Sequence, residues 1–170
     1  MKKSTFLILS MAVLLTVNAK AQDNSKKTKG QFERAEVVNF EVKEGVEFPQ
    51  HYLTTMNAEI VAQLQAKKRF KEVVAAGGSP SAASNSTLRI TGVVTKFKAG
   101  SRTTRYLVGF GAGKTKIVAH VKFINGATGE TVLEKDVDGK VVIGMFGGES
   151  IGATRGLAKE IAKVAVKTFF

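Results

Sequence analysis

Apolar and polar residues alternate along several short stretches of the chain, and a period of two residues is typical of β-strands with one buried face. The clearest stretch runs from Thr115 to Ile124, where Ile117, Val121 and Phe123 fall on one face. The same alternation predicts further strands over residues 36–43, 70–75, 88–97 and 130–138, and residues 139–143 are a candidate for one more.

Two longer stretches place apolar residues three and four positions apart, which predicts amphipathic helices. The first begins at Pro49 or Tyr52 and ends near Lys68, because proline is favoured in a first helical turn and cations in a last one. The second begins near Ser150 and ends near Thr168. We interpret both apolar stripes as core positions: Tyr52, Leu53, Met56, Ile60, Val61 and Leu64 in the first helix, and Leu157, Ile161, Val164 and Ala165 in the second.

This set of elements predicts an α+β fold, an antiparallel sheet of about five or six strands with two helices packed on one face. We expect a single α+β domain over residues 36–170. A polar stretch over residues 22–35, which carries Lys26, Lys27 and Lys29, is predicted to be a flexible basic tail.

The first 21 residues have the three parts of a secretory signal peptide. Lys2 and Lys3 precede an apolar stretch from Thr5 to Val17, and a small-x-small cleavage site ends at Ala21. The apolar stretch is shorter than the roughly 20 residues that a membrane-spanning helix needs. The sequence therefore predicts export to a periplasmic or cell-envelope location, with an uncleaved anchor as the alternative.

The chain is strongly basic, with 26 lysines and arginines against 14 acidic residues and a net charge of +12. Removing the signal, which holds three lysines and no acid, leaves +9. Such a charge outside the cytoplasm suggests an envelope protein or an anionic envelope component as partner. Nucleic acid is not expected, because no basic stripe is interleaved with aromatic residues. The chain has no cysteine, so we expect no lipid to be attached to a cysteine after the signal peptide. Any membrane association should be peripheral.

The chemically densest segment covers residues 100–116 and reads GSRTTRYLVGFGAGKTK. It ends like a phosphate-binding P-loop. That motif needs a glycine five positions before its last glycine, but Val108 stands at that distance from Gly113. The residues that follow predict a strand, whereas a P-loop opens a helix. The dinucleotide-binding fingerprint G-x-G-x-x-G also fails, because the glycines are spaced as G-x-G-x-G and no helix is predicted after them. No nucleotide cofactor is therefore predicted.

Two arginines and a lysine flank three alternate glycines in this segment. Alternate glycines leave one face of an extended chain bare, so that another backbone or a ligand can approach closely. Guanidinium groups are suited to phosphate and carboxylate recognition. A flexible loop with solvated arginines is the alternative. The candidate partner- or ligand-binding residues are Arg102, Arg105, Gly109, Gly111, Gly113 and Lys114.

A second group of glycines recurs every four residues near the start of the last predicted helix. On a helix this spacing forms a smooth stripe that permits close backbone contact. Glycine is a poor helix former, so we expect residues 144–149 to be a loop and the last two glycines to let the helix sit close to the sheet. Close packing and self-association are both open hypotheses for Gly144, Gly148, Gly152 and Gly156.

Three short runs occur in series: TLRITG at 87–92, GSR at 100–102 and RYLVGFGAG at 105–113. Phe97 lies between the first two runs, and TG at 128–129 follows a predicted strand. The series resembles the bacterial family known as domain of unknown function 4410, over most of the mature chain. That family is typically exported, is often lipidated and has no established activity. The resemblance implies an α+β envelope protein and supplies no catalytic residues.

No metal site is predicted. His51 and His120 stand alone, without cysteines or the H-x-x-x-H spacing of a zinc site. Glu134, Asp136 and Asp138 alternate on one strand face, but their spacing matches no calcium loop, so we interpret them as a solvated face. We expect no cofactor and assign no catalytic residue.

The pattern favours a non-enzymatic binding or assembly module of the envelope that uses segment 100–116. One alternative is a phosphate-handling or hydrolytic enzyme with Lys114 and the arginines in its site, which predicts a closed pocket with a facing carboxylate or histidine. The other is a self-assembling, membrane-associated subunit, a possible homo-oligomer whose glycine segments mediate contacts.

Overall fold

The structure, a computed structural model, describes residues 30–77, 86–100, 115–140 and 151–170. These ranges contain six strands and two helices. The elements in chain order are β1 (Arg34–Val37), β2 (Glu41–Val42), α1 (Gln50–Ala66), β3 (Glu72–Ala75), β4 (Thr87–Lys98), β5 (Lys116–Asn125), β6 (Thr131–Lys140) and α2 (Ile151–Phe169).

Both predicted helices and the strands predicted over 70–75, 88–97 and 130–138 are found within two residues of their expected bounds. The helical apolar stripes supply core residues, as expected from their spacing. β6 continues past Asp138 to Lys140, and the remainder of the candidate strand 139–143 lies outside the described residues.

The six strands form one mixed sheet in the order β3-β1-β4-β5-β6, with β2 also paired to β4. The prediction of an antiparallel sheet is right for β4, β5 and β6 and wrong for the N-terminal strands, because β1 runs parallel to both β3 and β4 and β2 runs parallel to β4. The chain leaves the sheet after β2, crosses it as α1 and returns as β3. A helical crossover of this kind brings strands together in parallel.

The predicted strand over residues 36–43 is divided into β1 and β2 by a break around Phe40. The Phe40 side chain is buried and covers Gly92 of β4, where an added Cβ would lie 2.6 Å from the Phe40 ring. The backbone N–H of Phe40 donates instead to Asn57 Oδ1 of α1, at 3.3 Å. A helix side chain therefore replaces a ladder hydrogen bond where the strand is interrupted.

The first packed residues lie earlier than the predicted domain start at 36. Phe32 is 2% exposed, and its ring meets that of Phe169 edge-to-face at 5.3 Å. Arg34 and Ala35 belong to β1 and are buried. The tail prediction for 22–35 is thus corrected at its C-terminal end, because a single phenylalanine in a lysine-rich stretch has no periodicity from which packing can be inferred.

Both helices pack on the sheet face that carries Ile117, Val121 and Phe123, all fully buried. The opposite face is polar, with Arg89 and Lys122 exposed. This agrees with the prediction of two helices on one side of the sheet and follows from the alternation of the strands, since one face must be covered by apolar surface. The fully buried helix positions include Met56, Ile60 and Leu64 of α1 and Ala153, Leu157, Ile161 and Ala165 of α2.

Candidate functional site

The three antiparallel strands end in register at one end of the sheet. Lys98 of β4 is the backbone partner of Lys116 of β5, and Lys116 is the partner of Lys140 of β6. Adjacent strands are about 4.8 Å apart, so these three positions span roughly 10 Å. Segments 101–114 and 141–150 therefore both join the sheet at this end, which we call the lysine end.

A hydrogen bond closes the base of the first of these segments. The backbone N–H of Gly100 donates to Thr115 Oγ1 at 3.0 Å. Thr115 is 2% exposed, so the acceptor is held in a buried position. The two strands are thus tied together at the point where segment 101–114 leaves and returns.

Most of the predicted site residues lie outside the described residues, so their predicted roles stay predictions. Gly152 and Gly156 are described, and both are half-buried on α2. A different glycine, Gly139 of β6, makes a close contact with α2. The predicted site residues that lie outside the described residues are Arg102, Arg105, Gly109, Gly111, Gly113, Lys114, Gly144 and Gly148.

The lysine end carries positive charge in addition to that of the predicted arginines. Lys96 and Lys98 of β4 are exposed, and neither forms an ion pair with another described residue. Lys116 lies 3.5 Å from Asp138 Oδ2 and is half-exposed. Sequence reasoning missed Lys96 and Lys98, although their alternation around Phe97 could have placed both on one strand face.

A half-buried aromatic cluster lies at the same end, on the helix-facing side of the sheet. The rings of Phe48 and Phe97 meet at 5.1 Å, and Tyr52 of α1 lies 6.1 Å from each of them. Phe97 pairs with Ile117, one position from the Lys98–Lys116 pair. The spacing assigned Tyr52 to the core stripe, but the fold places it beside a cationic surface where an aromatic ring can contribute contact area to a partner.

The outer face of β5 and β6 carries a charge cluster centred on His120. Its Nδ1 lies 2.7 Å from Asp136 Oδ1 and its Nε2 lies 3.1 Å from Glu134 Oε1. Lys122 Nζ also reaches Glu134 Oε1, at 2.8 Å. An imidazole can donate from both nitrogens only when it is protonated, so this geometry selects the imidazolium form.

The charge cluster shifts two pKa values. The hydrogen bond to Asp136, followed by that to Glu134, raises the pKa of His120, although burial opposes the shift. The hydrogen bond from Lys122, followed by that from His120, lowers the pKa of Glu134. His120 and Lys122 both lie on the outer face of β5. Across the described ranges, no group of three or more His, Cys, Asp or Glu side chains is arranged to hold a metal ion.

Fold and site together define an α+β domain with a mixed sheet, whose cationic end joins two glycine-rich segments. The chain belongs to the family described as Domain of unknown function (DUF4410), whose model matches residues 20–154. No curated protein matches the sequence. Neither α1 nor α2, the helices of the described part, has the length and apolar character needed to cross a membrane.

Solved structures with a similar fold come from several bacteria. A PelC dodecamer from Paraburkholderia phytofirmans is 14% identical with a TM-score of 0.55, covering 84% of this chain and 91% of that one. Protein XCC0632 from Xanthomonas campestris is 9% identical with a TM-score of 0.52, covering 82% and 88%. Hypothetical protein CT253 from Chlamydia trachomatis is 10% identical with a TM-score of 0.50, covering 79% and 96%. At these identities the likeness concerns the fold.

Proposed function

We propose that this protein is an exported, non-enzymatic binding or assembly module of the bacterial cell envelope. Its partner docks on the lysine end, where segment 100–116 contributes Arg102 and Arg105. The observation that carries the proposal is the backbone register that puts Lys98, Lys116 and Lys140 side by side. Segments 101–114 and 141–150 leave from one location, so a single partner can contact both.

The chemistry of this end favours an anionic envelope component or an acidic surface of an envelope protein. Lys96 and Lys98 add exposed charge at the end of β4, from which segment 101–114 continues. Arginine recognises carboxylates and phosphates through paired hydrogen bonds, and clustered cations raise the association rate with an anionic partner. The half-buried rings of Phe48 and Tyr52 offer apolar area next to these charges.

A binding role also agrees with the state of the sheet's histidine. His120 already faces Asp136 and Glu134 through both ring nitrogens. A general base needs a free nitrogen within reach of its substrate, and this imidazole has none while both contacts persist.

Self-association is a further part of the proposal. The PelC protein of similar fold is a dodecamer. Chains that pair through two different surfaces form rings or filaments, and among the described strands both edges of the sheet are left unpaired, which offers two such surfaces.

The partner site is tested by cross-linking and affinity capture from an envelope fraction. The variant Arg102→Ala/Arg105→Ala is compared with the unmodified protein. Its matched control is Lys67→Ala/Arg69→Ala, which removes two exposed cations at the far end of α1. That helix has 17 residues, so the control positions lie about 25 Å from its start near the lysine end.

We expect the arginine variant to lose a captured partner that both the unmodified protein and the control retain. Capture that is unchanged in the arginine variant, or lost equally in the control, would exclude a partner site at the lysine end.

A further inference from the structure

A groove runs between the edge strand β6 and helix α2. Its volume is about 520 Å³, and Lys135, Gly156 and Lys159 are among the residues that line it. Lys135 pairs in register with Val121, whose side chain is in the core, so Lys135 lies on the helix-facing side of its strand. No strand within the described ranges pairs with the outer edge of β6. The groove therefore adjoins the backbone hydrogen-bonding groups of an edge that no described strand covers.

The acidic residues of the groove already have cationic partners. Each carboxylate lies within ion-pair distance of a cation on β5 or α2, so its charge is largely compensated locally. The three pairs are Asp136 with His120 at 2.7 Å, Asp138 with Lys116 at 3.5 Å, and Glu160 with Lys163 at 3.2 Å.

The two lysines of the groove have no such compensation. Lys135 and Lys159 are exposed, and neither is ion-paired with any residue that the structure describes. The groove thus presents two uncompensated positive charges. A charged side chain on the inner face of an edge strand discourages indiscriminate strand pairing, and it favours an incoming segment that supplies a carboxylate.

The opposite edge of the sheet carries a net negative charge, with three exposed glutamates against one exposed lysine, Lys43. β3 pairs with β1 as far as Ala75 and Val37, so within the described chain no strand covers the outer side of β2. Glu41, Glu44 and Glu47 occur on β2 and the connection that follows it. All three are exposed, and they form no ion pair with the described residues.

We infer that the β6–α2 groove of one copy receives the acidic β2 edge of a second copy of this chain. The inference rests on the self-association proposed above and names its two surfaces. Lys135 and Lys159 of one copy face Glu41 and Glu44 of the next. Because the two surfaces differ, each copy keeps a free groove and a free edge, and the contact repeats head to tail until a ring closes or a filament grows.

Two charge-reversed variants test the inference. The groove variant is Lys135→Glu/Lys159→Glu, and the edge variant is Glu41→Lys/Glu44→Lys. All four positions are exposed, so both variants keep the fold, which circular dichroism checks. Molar mass is measured by sedimentation velocity over a range of protein concentrations. The control Lys67→Glu/Arg69→Glu reverses two exposed cations outside both surfaces.

We expect the unmodified protein and the control to form oligomers, and each charge-reversed variant alone to be monomeric at the same concentration. Like charges would then face each other in every contact, which should weaken association by at least about a hundredfold. An equimolar mixture of the two variants should assemble again, because each contact between different variants pairs opposite charges. High salt should weaken the unmodified oligomer.

The possible failures are distinguishable. An unmodified protein that stays monomeric at every concentration overturns the self-association on which the inference rests. Oligomers that persist in both variants, or variants that do not assemble when mixed, leave self-association standing and exclude these two surfaces. None of these results depends on whether Arg102 and Arg105 bind a partner.

Discussion

Gly139 of β6 lies directly beneath Leu157 of α2, and a Cβ atom added at Gly139 would come within 2.6 Å of the Leu157 Cβ. The same added atom would lie 2.8 Å from the carbonyl oxygen of Ala153. Both Leu157 and Ala153 belong to the core, and the contact with Ala153 is to backbone, which cannot rotate away. The absence of a side chain on the strand therefore permits the helix to seat on the sheet.

Gly139→Ala should lower the free energy of unfolding by about 1–3 kcal/mol, because the helix must move away from β6 to admit the methyl group. Urea denaturation monitored by circular dichroism measures the change. Lys135→Ala on the same strand is the matched control, since its side chain is exposed and its removal should cost less than about 0.5 kcal/mol. Equal stability of Gly139→Ala and the unmodified protein would contradict the close packing.

The charge cluster around His120 should make the free energy of unfolding fall both at high pH, where His120 loses its proton, and at low pH, where Glu134 gains one. The folded-state pKa of His120 is raised above 6.5. Its contribution to the free energy of unfolding is therefore complete below pH 6.5 and is lost as pH rises through the raised pKa. The pKa of Glu134 is lowered below 4.5, so its contribution is present above that pH and is lost as pH falls through the lowered pKa. Both groups are partly exposed, so the effect should be within about 1 kcal/mol.

An NMR titration of the His120 imidazole tests the order of these causes. Asp136→Asn should lower its pKa more than Glu134→Gln does, because the hydrogen bond to Asp136 is the largest cause of the shift. Lys135→Gln, on the other face of the same strand, should leave it unchanged. A His120 pKa at or below its ordinary value in the unmodified protein would be incompatible with the charge cluster.

Thr115 should control how firmly segment 101–114 is tied to the sheet. Thr115→Val removes the acceptor of the Gly100 N–H and should cost about 1–3 kcal/mol. We also expect faster trypsin cleavage after Arg102 and Arg105, since local opening exposes the chain to the protease. Thr115→Ser keeps the hydroxyl and should cleave at nearly the original rate. Identical cleavage of the valine and serine variants would show that the hydrogen bond does not restrain the segment.

The candidate site could be predicted only in part. The composition of segment 100–116 suggests Arg102 and Arg105 from their chemistry alone, and their role stays a prediction. The sequence did not show that segment 141–150 joins the sheet beside it, because that proximity depends on the register of Lys98, Lys116 and Lys140 across three strands. Register is set by contacts between residues far apart in the chain, so no local pattern reports it.

The glycines of α2 illustrate the same limit. Their four-residue spacing predicted close packing at Gly152 and Gly156, and that hypothesis is untested for the described pair. One close contact between α2 and the sheet comes from Gly139, a glycine that has no special spacing. A close contact depends on both packed surfaces. The sequence of α2 therefore does not specify which residue of the sheet the helix meets.

The sequence by itself determined both helices and most of the strands, since periods of two and 3.6 residues are local consequences of backbone geometry. It also determined the basic charge, the absence of cysteine and the polar outer face that places His120 outward. The tertiary structure alone decided that β1 pairs in parallel with β3 and β4, and that Phe40 interrupts a strand to cover Gly92. It also decided that exposed glutamates at β2 and exposed lysines beside β6 lie at opposite edges of the described sheet. Each of these depends on which distant segments pack together, and packing is decided by the free energy of the whole chain.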